Sequence, residues 1–225
     1  MTIQQKQLHY QPYIDWIIDE HEKQKTVDYF KFAGYQFLVK PPVFNPNIAT
    51  SSKLFAEEIL KLDLTGKKVL DAGCGSGILS IAALKAGASF VYSFDINDQA
   101  VETTKENLAR LDLTANIFEV QQRNSLPDLP NLFDYIFFNP PFFDCNTDAI
   151  WKRSVCDPEK LFLRNVISNA KKVLRPDGQL MMVIGGELNP KYIKSRLIKY
   201  GFSEVEQKYM GGKTPLNLHF IIAQK

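Results

Sequence analysis

Two short stretches of the chain hold groups whose types and spacing could do chemistry. The first is Val69-Leu-Asp-Ala-Gly-Cys-Gly-Ser-Gly77, where an apolar run leads into glycines at alternate positions, Gly73, Gly75 and Gly77, and then into a helical pattern. Glycines there let the backbone turn sharply and approach a ligand with no Cβ in the way, and the amides opening a helix favour a polar or negative group. Asp71 at the strand end would repel a pyrophosphate but suits an ammonium or sulfonium cation. Asp95 ends the next strand, 22 residues past Gly73, where a carboxylate can accept hydrogen bonds from two ribose hydroxyls. Ile96 beside it can pack on an adenine face. The run is G-x-G-x-G, not the G-x-G-x-x-G of a dinucleotide site, and the Gly-Lys-Ser/Thr of a P-loop is absent. The plainer alternative is a tight turn and nothing more.

The second stretch is Asn139-Pro-Pro-Phe142, after the apolar strand Tyr135–Phe138. Open α/β sheets place ligands at that end of a strand. The prolines stiffen the turn. Asn139 offers an amide oxygen and an NH₂, Pro140 a carbonyl, and Phe142 an apolar face for a planar group. Two acceptors and an aromatic plate suit a planar –NH₂ held by both hydrogens, its lone pair free to attack. The alternative is a proline turn with an Asn cap. His9, His21 and His219 read as structural or surface residues, and no residue pattern suggests a metal.

The elements that must position these groups alternate from Lys67 onward. Strands fall at Lys68–Ala72, Phe90–Phe94, Asn116–Val120, Tyr135–Phe138 and Gln179–Ile184, and helices at Ile78–Ala86, Gln99–Leu111, Glu159–Val173 and Lys191–Tyr200. Short apolar strands between helices predict a parallel sheet covered on both faces. Glu204–Tyr209 and Leu218–Ala223, joined by a Gly-Gly-Lys-Thr-Pro turn, predict an antiparallel hairpin at the edge. Upstream, Pro12–Gln24 reads as a helix, Val27–Val39 as a hairpin turning at Ala33-Gly34, and a helix to Leu62 follows, capped by Thr50, Ser51 or Ser52. The expected division is a helix-and-hairpin extension over residues 1–50 and a catalytic domain over 51–225.

Bulk properties exclude little beyond disorder, repeats and coiled coil: 45 % of residues are hydrophobic, 23 % are charged and the net charge is +2. That total hides a net +4 over residues 185–225, against 0 over 1–62 and −2 over 63–184. A solvated helix face explains such a tail, as does a weak footprint for a polyanion. No stretch of about 18 apolar residues predicts a membrane span, and the first residues do not read as a secretory signal. Three widely spaced cysteines, Cys74, Cys145 and Cys156, suggest reduced thiols and a cytoplasmic protein.

With these residues in view, 67–225 resemble the class I S-adenosylmethionine-dependent methyltransferases. The loop Asp71–Gly77 looks like their cofactor motif and Asp95 like their ribose-binding acid. Asn139-Pro-Pro-Phe142 resembles the amino-methylating signature of DNA, RNA and protein-glutamine N-methyltransferases. Phe37-Leu-Val-Lys-Pro-Pro-Val-Phe-Asn-Pro46 is similar to the segment that leads into the small-domain methyltransferases. The resemblance implies a Rossmann-like, seven-stranded, mostly parallel sheet with helices on both faces and a C-terminal antiparallel hairpin. It implies S-adenosyl-L-methionine as cofactor, bound by Asp71, Gly73, Gly75, Gly77, Asp95, Ile96, Asn124 and Asn139. Asn124 stands where the family has an adenine-contacting acid. Asn139, Pro140 and Phe142 would carry catalysis.

For the methyl acceptor, an exocyclic amine of an RNA base ranks first. Protein glutamine ranks next, since Asn47-Ile-Ala-Thr-Ser51 replaces the Arg-Pro-x-Glu-Thr usual in release-factor methyltransferases. A small-molecule amine follows. The loop Asp144–Pro158, with Trp151, Lys152 and Arg153, reads as a substrate lip. A non-catalytic scaffold that binds the cofactor and a nicotinamide dehydrogenase are the readings from other classes.

Overall fold

The computed structural model describes residues 3–113, 117–211 and 216–225. The chain begins with α1 (Ile3–Lys23) and a hairpin of β1 (Asp28–Phe32) and β2 (Tyr35–Val39). The hairpin turns at Ala33 and Gly34, both at positive φ, the backbone that a two-residue turn between twisted strands requires. α2 (Ser51–Ile59) follows, and then the alternation of β3 (Lys68–Ala72), α3 (Ile78–Lys85), β4 (Phe90–Asp95), α4 (Asp98–Arg110), β5 (Ile117–Gln122), β6 (Phe133–Phe138), α5 (Leu161–Val173), β7 (Leu174–Ile184) and α6 (Pro190–Lys199). β8 (Ser203–Gly211) and β9 (Leu218–Gln224) close the chain, and the Gly212–Pro215 part of the turn between them lies outside the described residues.

One seven-stranded sheet has the order β5-β4-β3-β6-β7-β9-β8. β3 to β7 pair in parallel, and β9 runs antiparallel to both β7 and β8. The order reverses between β3 and β6, so their C-terminal ends border a crevice of the kind in which open α/β sheets bind ligands. Val69, Leu70, Phe94, Phe133, Phe137 and Phe138 are fully buried, as strands covered on both faces must be. Phe55 of α2 packs edge-on against Phe137 and Phe220, with centroids 5.7 and 5.3 Å apart, which fixes that helix over the sheet.

Two elements extend several residues beyond the sequence expectation, and the others shift by three residues or fewer. α1 extends back to Ile3 and contains Pro12 in its interior; packing of Ile14 and Ile17 into the core outweighs the one backbone bond a proline removes. β7 starts at Leu174 rather than Gln179, because Phe133 pairs with Leu174 and Tyr135 with Gln179, and Pro176-Asp177-Gly178 bulge between those pairs.

The N-terminal elements share the core of the sheet. Leu38 of β2 exchanges two hydrogen bonds with the Asn107 side chain of α4, at 2.8 and 2.9 Å. His21 of α1 accepts the Asn45 amide on Nε2 at 2.8 Å and donates from Nδ1 to the Ile17 carbonyl at 2.6 Å. Those bonds fix a neutral tautomer, and burial lowers its pKa.

The thiol expectation is overturned in part. Cys145 and Cys156 form a disulfide, and Cys74 is the free, buried cysteine. Phe143 and Cys156 form an isolated bridge, with Asp157 N donating to the Phe143 carbonyl at 2.8 Å. This draws the two ends of the lip together and leaves the Cα atoms of Cys145 and Cys156 5.0 Å apart. Sequence spacing alone does not reveal that return, and the pairing removes the thiol argument for a reducing compartment. Among the described residues no helix is long and apolar enough to cross a membrane.

Candidate active site

The C-terminal ends of β3, β4, β5 and β6 meet at a cavity of about 480 Å³. It is lined by Gly73, Gly75, Asp95, Ile96 and Asn124 on one side and by Asn139, Pro140 and Phe142 on the other. All eight were singled out from the sequence. Asp95 Oδ2 accepts from Gly75 N at 3.0 Å and Oδ1 from Asn97 N at 2.9 Å. Each oxygen retains capacity for a further donor. Gly75 has φ +54°, and a Cβ built there meets nothing within 4 Å. The loop therefore turns its backbone toward open space beside a carboxylate, as a site for a ribose-bearing cation requires. These features fit S-adenosylmethionine.

Asp71 and Gly77 stand elsewhere, outside the cavity lining. Asp71 is fully buried and accepts from the Ser80 hydroxyl, which also lies 2.8 Å from Ser93 Oγ. Burial pushes its carboxyl up to about 7; the Ser80 hydrogen bonds oppose this and the charge of Asp95 adds to it. Its Oδ2 thus braces α3 against the sheet, while Oδ1 is buried with no partner among the described residues. Gly77 caps α3 at φ +79°, and a Cβ there would lie 2.9 Å from Thr104 Cγ2 and 3.2 Å from Thr104 Cα. Its lack of a side chain serves the approach of α3 to α4.

Asn139 is oriented by residues that the sequence reading assigned to a helix cap. Its Nδ2 donates to Ser51 Oγ at 3.2 Å and Ser52 Oγ at 3.0 Å, at the start of α2. Its Oδ1 is buried with no partner among the described residues. Thr50 is the N-cap and makes no side-chain capping bond; the two serine hydroxyls act on Asn139 instead. With the amide nitrogen occupied, Asn139 presents an unpaired acceptor to the cavity.

α1 and the loop 144–158 complete the Asn139 side of the cavity. Tyr13 and Ile17 line the cavity, and the Tyr13 hydroxyl is likewise buried without a partner among the described residues. Tyr13 and Tyr10 tilt against Phe143 at 6.1 and 5.7 Å. His21 stacks between Phe44 (5.2 Å) and Trp151 (5.8 Å), and Lys152 pairs with Glu22 at 2.8 Å. Trp151 and Arg153 of the lip line the cavity, as expected of Asp144–Pro158. Tyr13, Ser51 and Ser52 were missed as site residues because they are far from either motif in sequence; the apolar patch around Tyr13 signalled burial, not a site.

Residues 34–213 match the family model "Methyltransferase small domain". Over 207 residues the chain is 27 % identical to the release factor glutamine methyltransferase of Borreliella burgdorferi, covering 85 % of this chain and 71 % of that protein. Over 140 residues it is 36 % identical to the ribosomal protein L11 methyltransferase of Vibrio cholerae, covering 62 % of this chain and 40 % of that protein. The fold superposes on M. jannaschii TYW2 in complex with AdoMet with a TM-score of 0.63 at 14 % identity, covering 89 % of this chain and 86 % of that one. The dehydrogenase reading is set aside. The chain belongs to the methyltransferase small domain family and is an S-adenosylmethionine-dependent methyltransferase.

Proposed function

We propose that the protein methylates a planar amino or amide nitrogen held at Asn139, and that this nitrogen is an exocyclic amine of an RNA base. The observation that carries the nitrogen assignment is the unpaired, buried Oδ1 of Asn139 beside the Pro140 carbonyl, with Nδ2 tied to Ser51 and Ser52. S-adenosylmethionine supplies an activated methyl on a sulfonium. The protein's part is alignment and charge stabilisation. Gly73, Gly75, Asp95, Ile96 and Asn124 hold the cofactor, while Asp71 and Gly77 act beneath the loop to keep its shape. Asn139 Oδ1 and the Pro140 carbonyl accept the two amine hydrogens and stabilise the positive charge that grows on nitrogen. Phe142 supports the planar group. No general base is obligatory, because the N–H becomes acidic once the methyl is attached.

Residues 1–50 act as an extension that roofs the acceptor side. Tyr13 donates its unpaired hydroxyl to an acceptor atom next to the amine, as in a base whose exocyclic amine adjoins a ring nitrogen or carbonyl. The basic helix α6 favours RNA. A protein glutamine is the second reading, favoured by the relationship to the Borreliella burgdorferi enzyme; its carboxamide also places an acceptor next to an NH₂.

The deciding experiment is transfer of labelled methyl groups to fractionated cell extract, before and after ribonuclease or protease treatment. Label lost with ribonuclease supports RNA, and label lost with protease alone overturns it. Asn139→Ala should lower kcat roughly 10²–10³-fold, the usual cost of removing one transition-state hydrogen bond. Full activity in that variant would remove Asn139 from catalysis.

A further inference from the structure

Away from the cavity, charge segregates by helix. α5 carries Arg164, Lys171 and Lys172, α6 carries Lys191, Lys194, Arg196 and Lys199, and neither contains an Asp or Glu. α4, by contrast, mixes both signs, with Asp98, Glu102 and Glu106 beside Lys105 and Arg110. Among the described residues no cation of α5 or α6 pairs with a carboxylate. A merely solvated helix face usually intersperses both signs, because i,i+4 pairs stabilise it.

Between the two helices runs a groove of about 250 Å³, floored by the buried Leu163, Ile167 and Ile193. Arg164, Arg196, Tyr192 and Tyr200 wall it, with Lys160, paired with Glu187 at 3.3 Å, at one end. The tyrosines are 46 % and 40 % exposed. The Arg196 guanidinium lies 5.2 Å over the Tyr192 ring, and its Nε donates to the Tyr192 hydroxyl at 2.9 Å. The groove adjoins the catalytic cavity across the first turns of α5: Leu161, Phe162 and Asn165 line the cavity, Leu163 and Arg164 the groove.

We propose that the α5–α6 groove is the docking track of a single-stranded RNA segment, which leads the acceptor nucleotide into the cavity. The proposal rests on the RNA reading above. Cations that track a backbone, combined with aromatic rings that stack bases, are what sequence-tolerant binding of single strands needs. A concave groove suits a strand better than the flat surface of an anionic membrane.

The test measures binding of a short, labelled, mixed-sequence single-stranded RNA by fluorescence anisotropy across a salt series. The wild type is compared with Arg164→Gln/Arg196→Gln and with Tyr192→Ala/Tyr200→Ala. S-adenosylmethionine binding by calorimetry, unchanged in both variants, reports intact folding. If the groove carries the strand, the charge variant loses affinity and its slope of log K against log salt shrinks by about 1.4, since each single-strand phosphate contact contributes about 0.7. The tyrosine variant loses affinity with its slope preserved. Wild-type affinity in both variants, with RNA still methylated, overturns the groove and leaves the RNA reading standing. Wild-type protein that neither binds the oligonucleotide nor methylates RNA overturns both. Tighter binding to phosphatidylserine vesicles than to the oligonucleotide, abolished in the charge variant, reassigns the face to a membrane and overturns the proposal.

Discussion

Asp71 shows how a carboxylate at a strand end can be structural and still leave a pH signature. Burial holds its folded-state pKa near 7, against about 3.9 in an unfolded chain. The folded state therefore binds the proton more tightly, and the contribution is complete below about pH 4 and is lost as pH rises toward 7. Asp95, also raised by burial, acts with the same sign. Asp71→Asn should remove part of this decline. The stability difference between wild type and variant should change with a slope of at most about 1.4 kcal/mol per pH unit between pH 4 and 7 and level off above. Urea midpoints across that range check it, and parallel curves would show that Asp71 does not titrate there. Tyr13 makes a separate prediction. If its hydroxyl serves the acceptor, Tyr13→Phe should lower kcat/KM roughly three- to tenfold, the worth of one hydrogen bond, with cofactor affinity unchanged. An equal loss of cofactor affinity would point to a general packing role.

At the scale of elements, the roof over the Asn139 side of the cavity has two fastenings, each with its own test. The Cys145–Cys156 disulfide closes a loop of sequence separation 11, for which chain entropy gives a stabilisation of about 3 kcal/mol. Cys145→Ser/Cys156→Ser should lose roughly 2–3 kcal/mol and raise the acceptor KM more than it changes cofactor affinity, because the bridge anchors Trp151 and Arg153. Denaturant titrations with and without reductant check the stability. The other fastening is His21, whose neutral ring joins α1 to Asn45 and stacks on Trp151. Its pKa is lowered by burial, so its contribution is present above about pH 6.5 and is lost as pH falls through the folded-state value. Tryptophan fluorescence should report loosening of α1 on acidification, and the change should be absent in His21→Asn.

At the scale of the molecule, the cavity lies where the strand order reverses, and the N-terminal helix closes it from outside the sheet. Saturating S-adenosylmethionine at about 100 times its Kd should stabilise the fold by about 2.7 kcal/mol. For a chain of this size that is a rise of roughly 5–10 °C in Tm; a nicotinamide dinucleotide should give none. The near-neutral total charge conceals an α5–α6 pair whose charged residues are all basic. Much of this was legible before folding. Gly73, Gly75, Asp95, Ile96 and the Asn139-Pro-Pro-Phe142 turn all stand at or just past strand ends, and an apolar run ending in a polar or glycine residue is a local pattern that the strand itself carries to the sheet edge; Asn124 rests on the family resemblance alone. Other features follow from distance in sequence: Ser51 and Ser52 orienting Asn139, Tyr13 facing the same cavity, Cys145 meeting Cys156, and Asp71 turning under its loop toward Ser80. The sheet and its strand-end loops are written in the chain order, because they rest on period and on residues within one or two turns of a strand, and the resemblance of those loops to a known family implied the cofactor. Which atoms are left unpaired, what roofs the Asn139 side of the cavity and which basic helices lie side by side emerge on folding, because each depends on contacts between segments that packing alone brings together.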